Sequence, residues 1–429
     1  MAKKKLLFFS IFIIIILVFV LTIYNIIYKN NNIYLNNKDE APNFISIMLE
    51  ETAGSGEYKV SKSNKWPSKG YVFNKEMSYC NNGSTLTWNE NDNSVSVNIN
   101  KTDKCQVYFD IQLTLVEYVI SQYTGTQGGN GIYYHNSTLA NGAGDNSYRY
   151  AGANPNNFVC FGTKANPCPT DNLYRIIGVM DGKVKLIKYD YANDNLLGTD
   201  GDYYGSDVPD ASYYKGSLTT INTYYWNNAT KTNTWSESNL NKVNLNTNYI
   251  NNIGITWANK IATTTWKVGN GSIDKISFSV PKTAYQNEVG SSASTITYDA
   301  KIGLMYASDY YYAAGPSAWT LVGYNYNDAT NDYRAATSIN WIHMGMHEWI
   351  ISRDSYYSDK AYYASKPGFV TSYYVIGSEH YNLFGARPSF NLLPSITYVS
   401  GSGSMSDPIR ITDWRTFLKK HRYNLDKMR

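Results

Sequence analysis

NLYRIIGVMDGKVKLIKYD, residues 172–190, decides how the larger part of this chain folds. Tyr174–Met180 and Lys183–Tyr189 are two runs rich in Ile, Val and Leu, and Asp181-Gly182 between them tolerates the positive φ angles of a type I′ turn. An antiparallel hairpin is predicted there. Outward from it, between Ile132 and Ile411, short apolar runs alternate with Gly- and Asn-rich loops and no repeat period emerges. DAKIGLMYASDYYYA (299–313), Trp341–Ser352, GFVTSYYVIG (368–377) and GARPSFNLL (385–393) continue the pattern. Two stretches read as helices. Leu113, Val116, Ile120 and Tyr123 recur at helical spacing behind Gln112 or Thr114, while Ser236–Asn252 fits a helical period only loosely. The expectation for residues 112–411 is an α+β domain with long loops.

Upstream, residues 45–111 carry short alternating runs (SIMLEE, GYVFN, TLTWN, SVSVNIN, CQVYFD) and read as a small β-sandwich-like module. Leu6–Ile27 is almost wholly apolar; at 1.5 Å per residue it reaches roughly 29–33 Å, the thickness of a bilayer core. Lys3, Lys4 and Lys5 before it outweigh Lys29 after it, and the run is long for a cleaved signal peptide. Residues 1–28 are therefore expected to be a cytoplasmic stub and transmembrane signal anchor, with the lipid bilayer as partner. Residues 29–44 would be a polar stalk and 412–429 a basic tail, with Trp414, Phe417 and Leu418 on one side of a helix. This places a single-pass protein in the plasma membrane, its N-terminus cytoplasmic and its body outside.

Lys and Arg number 38 against 34 Asp and Glu in 429 residues, and only 17% of residues are charged. The positive excess sits at the two ends, which leaves a slightly acidic body and no basic patch for nucleic acid. Aromatics at 15%, including 41 Tyr, are too many for a disordered chain. Four cysteines in an exported chain point to disulfides. Local pairing, Cys80–Cys105 and Cys160–Cys168, is preferred because each pair falls within one segment of consistent character. A thiolate metal site is disfavoured, since no C-x-x-C occurs.

MGMHEWIISRD (344–354) followed by GARPSFNL (385–392) resembles the two late signatures of formylglycine-generating-enzyme-like domains, a Glu-Trp pair and then a Gly-x-Arg strand. Glu348-Trp349 and Gly385-Ala386-Arg387 take those places. The resemblance implies a variant of the C-type-lectin fold for residues 112–411, and the order of segments also looks like surface proteins of AT-rich bacteria. It implies no chemistry. That family's oxidase uses cysteines near its Gly-x-Arg end and this chain has none after Cys168; the Glu-Pro-Asn, Gln-Pro-Asp and Trp-Asn-Asp tripeptides of calcium-dependent sugar sites are also missing.

The residues themselves support the same restraint. His343 and His347 have i, i+4 spacing but no Glu between them, so they do not make the zinc-protease pattern and read as structural. Glu348, Arg353 and Arg387 read as a buried polar set in which a guanidinium fork can hold a nearby carboxylate and join two strands; Glu348, Trp349 and Arg387 are expected to be architectural, and no role is preferred for Arg353. Asp194, Asp200, Asp202 and Asp207 lie in one loop without the EF-hand spacing and read as a solvated turn. No catalytic residue, metal or cofactor is assigned. Tyrosine offers the material for binding. Tyr310, Tyr311, Tyr312, Tyr356 and Tyr373 are chosen from the doublets and the triplet, because neighbours on a strand face opposite ways and exposed Tyr among Asn, Ser and Gly is a recognition composition. The expected function is a membrane-anchored surface protein that binds an extracellular glycan or protein through these rings. An envelope-acting enzyme and a structural envelope component are the alternatives.

Overall fold

A computed structural model describes residues 44–413 except 54, 63–66, 68–69, 90–93, 99–102, 270, 294 and 378–383. The chain divides into two compact units, Met1–Ile111 and Gln112–Arg429.

In the first unit β1 (Phe44–Glu50), β2 (Tyr58–Val60), β3 (Tyr71–Cys80) and β6 (Lys104–Ile111) form a sheet in the order β2-β1-β6-β3, while β4 (Thr85–Asn89) and β5 (Ser94–Asn98) make a separate hairpin. β1 and β6 run parallel. Along β6 the buried side chains alternate, Cys105, Val107, Phe109, as a period of two requires. Val107 and Phe109 meet Ile47, and Leu86 and Val95 of the hairpin pack against them. So small a core gains from a covalent tie. Cys80 and Cys105, opposite one another on β3 and β6, are bonded, and closing a loop of 25 residues contributes roughly 3–4 kcal/mol on the chain-entropy account.

The second unit opens with the helix Leu115–Ser121. Thr114 accepts from the Glu117 amide and the Glu117 carboxylate accepts from the Thr114 amide, a complete capping box. Next come β7 (Ile132–Tyr134), β8 (Tyr148–Tyr150), β9 (Phe158–Cys160), β10 (Leu173–Met180) and β11 (Lys183–Lys188). β10 and β11 pair from Tyr174↔Lys188 to Met180↔Lys183, with Asp181 at φ 49° and Gly182 at φ 68° in the turn. Further strands are β12 (Tyr203–Asp207), β13 (Ile221–Tyr224), β14 (Thr264–Lys267), β15 (Thr297–Ala300) and β16 (Ile302–Gly303). The last group is β17 (His347–Arg353), β18 (Lys360–Ala364), β19 (Val370–Tyr374), β20 (Phe384–Gly385), β21 (Ser389–Asn391), β22 (Ile396–Ser400) and β23 (Arg410–Asp413). The main sheet runs β16-β21-β11-β10-β8-β7, with β9 added on β10; a second sheet runs β19-β18-β17-β20; and β12–β13, β14–β15 and β22–β23 are two-stranded. β10 and β11 are buried on both faces, so the hairpin is the centre of the core. Cys160 and Cys168 are bonded.

Several expectations are corrected. The α+β reading with an N-terminal membrane helix gives way to a mixed, sheet-rich fold, 33% strand and 19% helical among the described residues. Among the described residues no helix is long and apolar enough to cross a membrane, which also overturns the single-pass plasma-membrane placement; the disulfides hint at an extracellular environment. The expected span Leu6–Ile27, residues 29–43 of the stalk and the tail from Trp414 onward lie outside the described residues. DAKIGLMYASDYYYA is not one strand: β15 and β16 give way to a helix, Ala307–Tyr312. Ser236–Asn252 fits a 3.6-residue period poorly because Leu240–Tyr249 is π-helical, with Leu240, Asn244, Leu245 and Tyr249 buried at the wider turn spacing.

His135 and His343 are buried in the second unit and His347 is half-buried, and desolvation holds each imidazole well below its ordinary range, to about 3 for His343 and about 4 for His347. A folded-state pKa below the unfolded value favours folding above pH 6.5, and that contribution is lost as pH falls toward the folded value. At pH 5 this amounts to roughly 2 kcal/mol for each of His343 and His347. Urea melts between pH 7 and pH 4.5 should show the second unit losing stability steeply below pH 6.5, and His343→Gln and His347→Gln should flatten that slope.

Candidate functional site

Two constellations emerge around β17–β20, one internal and one on the surface. The internal one begins at the start of β17, where Glu348 and Trp349 face inward. β20 pairs with β17 in parallel, Glu348 opposite Gly385, and delivers Arg387 two residues later. The Arg387 fork donates from Nε to Glu348 Oε1 at 2.8 Å and from Nη2 to Oε2 at 2.7 Å. Its remaining donors reach the Ile342 carbonyl at 2.6 Å and the Tyr189 carbonyl at 3.2 Å. Burial pushes the Glu348 carboxyl up while the guanidinium holds it down. Gly385 is required by close approach, because a Cβ there would lie 2.4 Å from the Tyr191 ring. Trp349 is fully buried, stacks on Phe384 at 4.0 Å and donates to the Tyr224 carbonyl. Every polar atom of this group is turned to the protein, so it joins elements and offers nothing to a substrate. Arg353, further along β17, does not join it and leaves Nε without a partner among the described residues.

The histidines do not form a metal pair. His343 Nδ1 meets the Tyr310 hydroxyl at 3.1 Å, and His347 Nδ1 accepts from the Lys366 amide at 3.2 Å. The Asp-rich loop does not converge either. Asp202 is buried and accepts from the Asn228 and Leu240 amides, against the expected solvated turn, and Asp200 accepts from Asn248. Among the described residues, the group of three potential ligands close enough for one ion is Cys80, Asp103 and Cys105, and both of those thiols are in the disulfide.

The tyrosine triplet is corrected outright. Tyr310, Tyr311 and Tyr312 lie on a short helix enclosed on all sides, each about 1% exposed or less. Their hydroxyls donate to the carbonyls of Gly368, Ile276 and Asn141. They are core side chains with satisfied hydroxyls and cannot meet a ligand.

Tyr356 and Tyr373 fall differently, on the β18–β19 ribbon and the turn before it. Lys360 sits opposite Tyr374 in the ladder. Its ammonium lies 4.9 Å from the Tyr374 ring and 4.0 Å from the Tyr357 ring, so one cation is shared by two aromatics. Tyr356 packs edge-on against Tyr357 at 4.8 Å and is 76% exposed. The turn that carries this pair is fastened from both sides. The Asp354 carboxylate accepts from the Tyr356 amide and the Ser372 hydroxyl, and the Asn233 amide nitrogen reaches the carbonyls of Asp354, Tyr357 and Lys360 at 2.7 Å each. From Tyr374 ring contacts continue through half-buried Tyr373 and buried Tyr363 to Phe369 and Tyr324. They end at Tyr326, 81% exposed, with Phe278 beside Tyr324. The Arg334 guanidinium, held by Asp332, covers Tyr324 and Phe369. The result is an aromatic ribbon along edge strand β19 whose two ends face solvent.

No family model, curated protein or solved structure matches this chain. The resemblance to formylglycine-generating-enzyme-like domains therefore rests on the two motifs alone.

Replacing one partner of the buried pair, Glu348→Gln or Arg387→Met, should cost roughly 3–5 kcal/mol in urea denaturation, because the other charge is left buried and alone. The double replacement should recover part of that loss.

Proposed function

We propose that the second unit is an extracellular binding module that holds a glycan against the tyrosine ribbon at β18–β19. The observation that carries this reading is the set of four solvent-facing rings on a braced edge: Tyr374 and Tyr326 at the two ends of a chain of ring contacts, and the Tyr356–Tyr357 pair joined to Tyr374 through the Lys360 ammonium. Sugar rings present C–H faces that pack on aromatic faces and hydroxyls that bond with tyrosine O–H and with Asn and Ser side chains; tyrosine offers both at little loss of side-chain freedom. The brace matters as much as the rings. Asp354, Asn233 and Lys360 hold the exposed pair in place before any ligand arrives, which lowers the cost of binding. The two disulfides suit an oxidising compartment, where such ligands are displayed.

A glycan array and affinity electrophoresis with the full chain test the reading. A polysaccharide ligand is expected, with binding lowered at least about fivefold by Tyr356→Ala combined with Tyr374→Ala, on the scale of ~0.5–1.5 kcal/mol per aromatic contact. The melting temperature should stay close to that of the parent, since both rings are exposed. Unchanged binding by the double variant, or no glycan retained at all, would reject the proposal.

A further inference from the structure

A second feature lies elsewhere in the same unit, between the main sheet and the β14–β15 hairpin. Asp145, Arg149, Lys183, Lys185, Thr263–Lys267, Tyr285, Tyr306 and Asp309 line most of a cavity of about 350 Å³, at the lower end of the size range for small-ligand sites. Its floor is charged and buried. Lys185 on β11 and Asp309 on the helix Ala307–Tyr312 are each about 3–4% exposed, and Nζ donates to Asp309 Oδ2 at 2.5 Å. Arg149 donates to Asp145 at 2.6 Å and to Ser147 at 2.8 Å, while its Nη1 stands 3.7 Å from Asp309.

The donors on this floor exceed the acceptors. An ammonium carries three N–H groups. Asp309 is the one hydrogen-bond acceptor that Lys185 has among the described residues, and the rest of its surroundings are the Tyr306 and Trp266 rings, 4.5 and 5.2 Å from Nζ. Asp309 Oδ2 also accepts from the Tyr306 amide, so it is shared. Buried donors without partners are costly, and this pair borders an open cavity. Lys183 and Lys267 stand at the rim, the latter bonded to the carbonyls of Val289 and Gly290. Four cations therefore face the three carboxylates Asp145, Asp181 and Asp309. Glu288 is turned away and accepts from the Ala307 and Ser308 amides and the Ser352 hydroxyl.

We propose that this cavity binds a hydroxylated monocarboxylate of monosaccharide size, a sugar acid. Its carboxylate takes the free N–H groups of Lys185 and supplies the single negative charge that the lining lacks. Its hydroxyls face Thr264, Asn391 and Asp145, and its ring lies along Tyr285 and Tyr306. A dianion is disfavoured because Asp309 stands 2.5 Å from the only buried ammonium in the lining. A neutral sugar can accept from the ammonium through its hydroxyls but brings no negative charge, so its bonds to Lys185 are the weaker ones.

Isothermal titration calorimetry of the full chain with sodium D-glucuronate, D-glucose and sodium phosphate is the test. Glucuronate should bind at least tenfold more tightly than glucose or phosphate. Thr263→Trp, at an exposed position on the rim, should abolish that binding without changing the melting temperature, and Lys185→Gln should weaken it at least tenfold. Where Lys185→Gln fails to fold, Lys183→Gln, with an expected loss of threefold or more, takes its place beside the Thr263 variant. No heat with glucuronate, equal affinity for glucose or for phosphate, or undiminished binding by the Thr263 variant would overturn the proposal. The paired Tyr356 and Tyr374 replacement should leave glucuronate binding intact, so failure at the ribbon and failure at the cavity are told apart.

Discussion

The second unit depends on one contact, the bidentate pairing of Arg387 with Glu348. Glu348 belongs to the β19-β18-β17-β20 sheet, and Arg387 lies just before β21 of the main sheet. The two further bonds from the guanidinium reach the Ile342 loop and Tyr189 at the end of the central hairpin. One side chain thus fixes three stretches that are remote in sequence, around Tyr189, around Ile342–Glu348 and around Arg387 itself. A planar fork with five donors can do this, and a lysine could not. The arrangement is dry, and removing either charge would strand the other, so the pair specifies the packing of the two sheets.

Tyrosine solves a second problem in the same core. The chain is poor in charge and rich in Tyr, and a buried phenol needs a hydrogen-bond partner. Here the hydroxyls of Tyr310, Tyr311, Tyr312 and Tyr333 end on backbone carbonyls of other segments, while those of Tyr174 and Tyr249 meet each other at 2.7 Å. Each ring fills volume and its tip closes a loop. Long connections thereby acquire fixed positions without regular secondary structure of their own. The ribbon at β18–β19 uses the same residue on the opposite terms. Its rings reach the edge of the sheet, where a lysine ammonium stands over the faces of two of them.

How much of the site could be read in advance follows from this. The architectural role of Glu348 and Arg387 was legible because a carboxylate and a fork-shaped cation in apolar strands have few other ways to be satisfied; that Arg387 and not Arg353 takes the carboxylate was decided by the parallel pairing of β17 with β20. The local pairing of the cysteines was legible from the character of their segments. Tyr310–Tyr312 was misread because a strand would expose alternate rings; the segment is a helix, and packing surrounds it. Lys360, Tyr326 and Asn233 carried no local signal. Lys360 matters only because the ladder sets it opposite Tyr374, Tyr326 only because Tyr324 and Phe369 stack, and Asn233 only because its side chain arrives beside a turn more than a hundred residues away.

By itself the sequence determined what is local. The type I′ turn at Asp181-Gly182, the capping box at Thr114 and the alternation along β6 follow from φ preference, from side-chain reach and from a period of two, each over a few neighbouring residues. Tertiary structure decided which tyrosines are core and which are surface, and which cations meet in the cavity. Those outcomes depend on partners far away in the chain. Exposure is a property of the packed whole, because a phenol is stable in either place so long as its hydroxyl finds an acceptor.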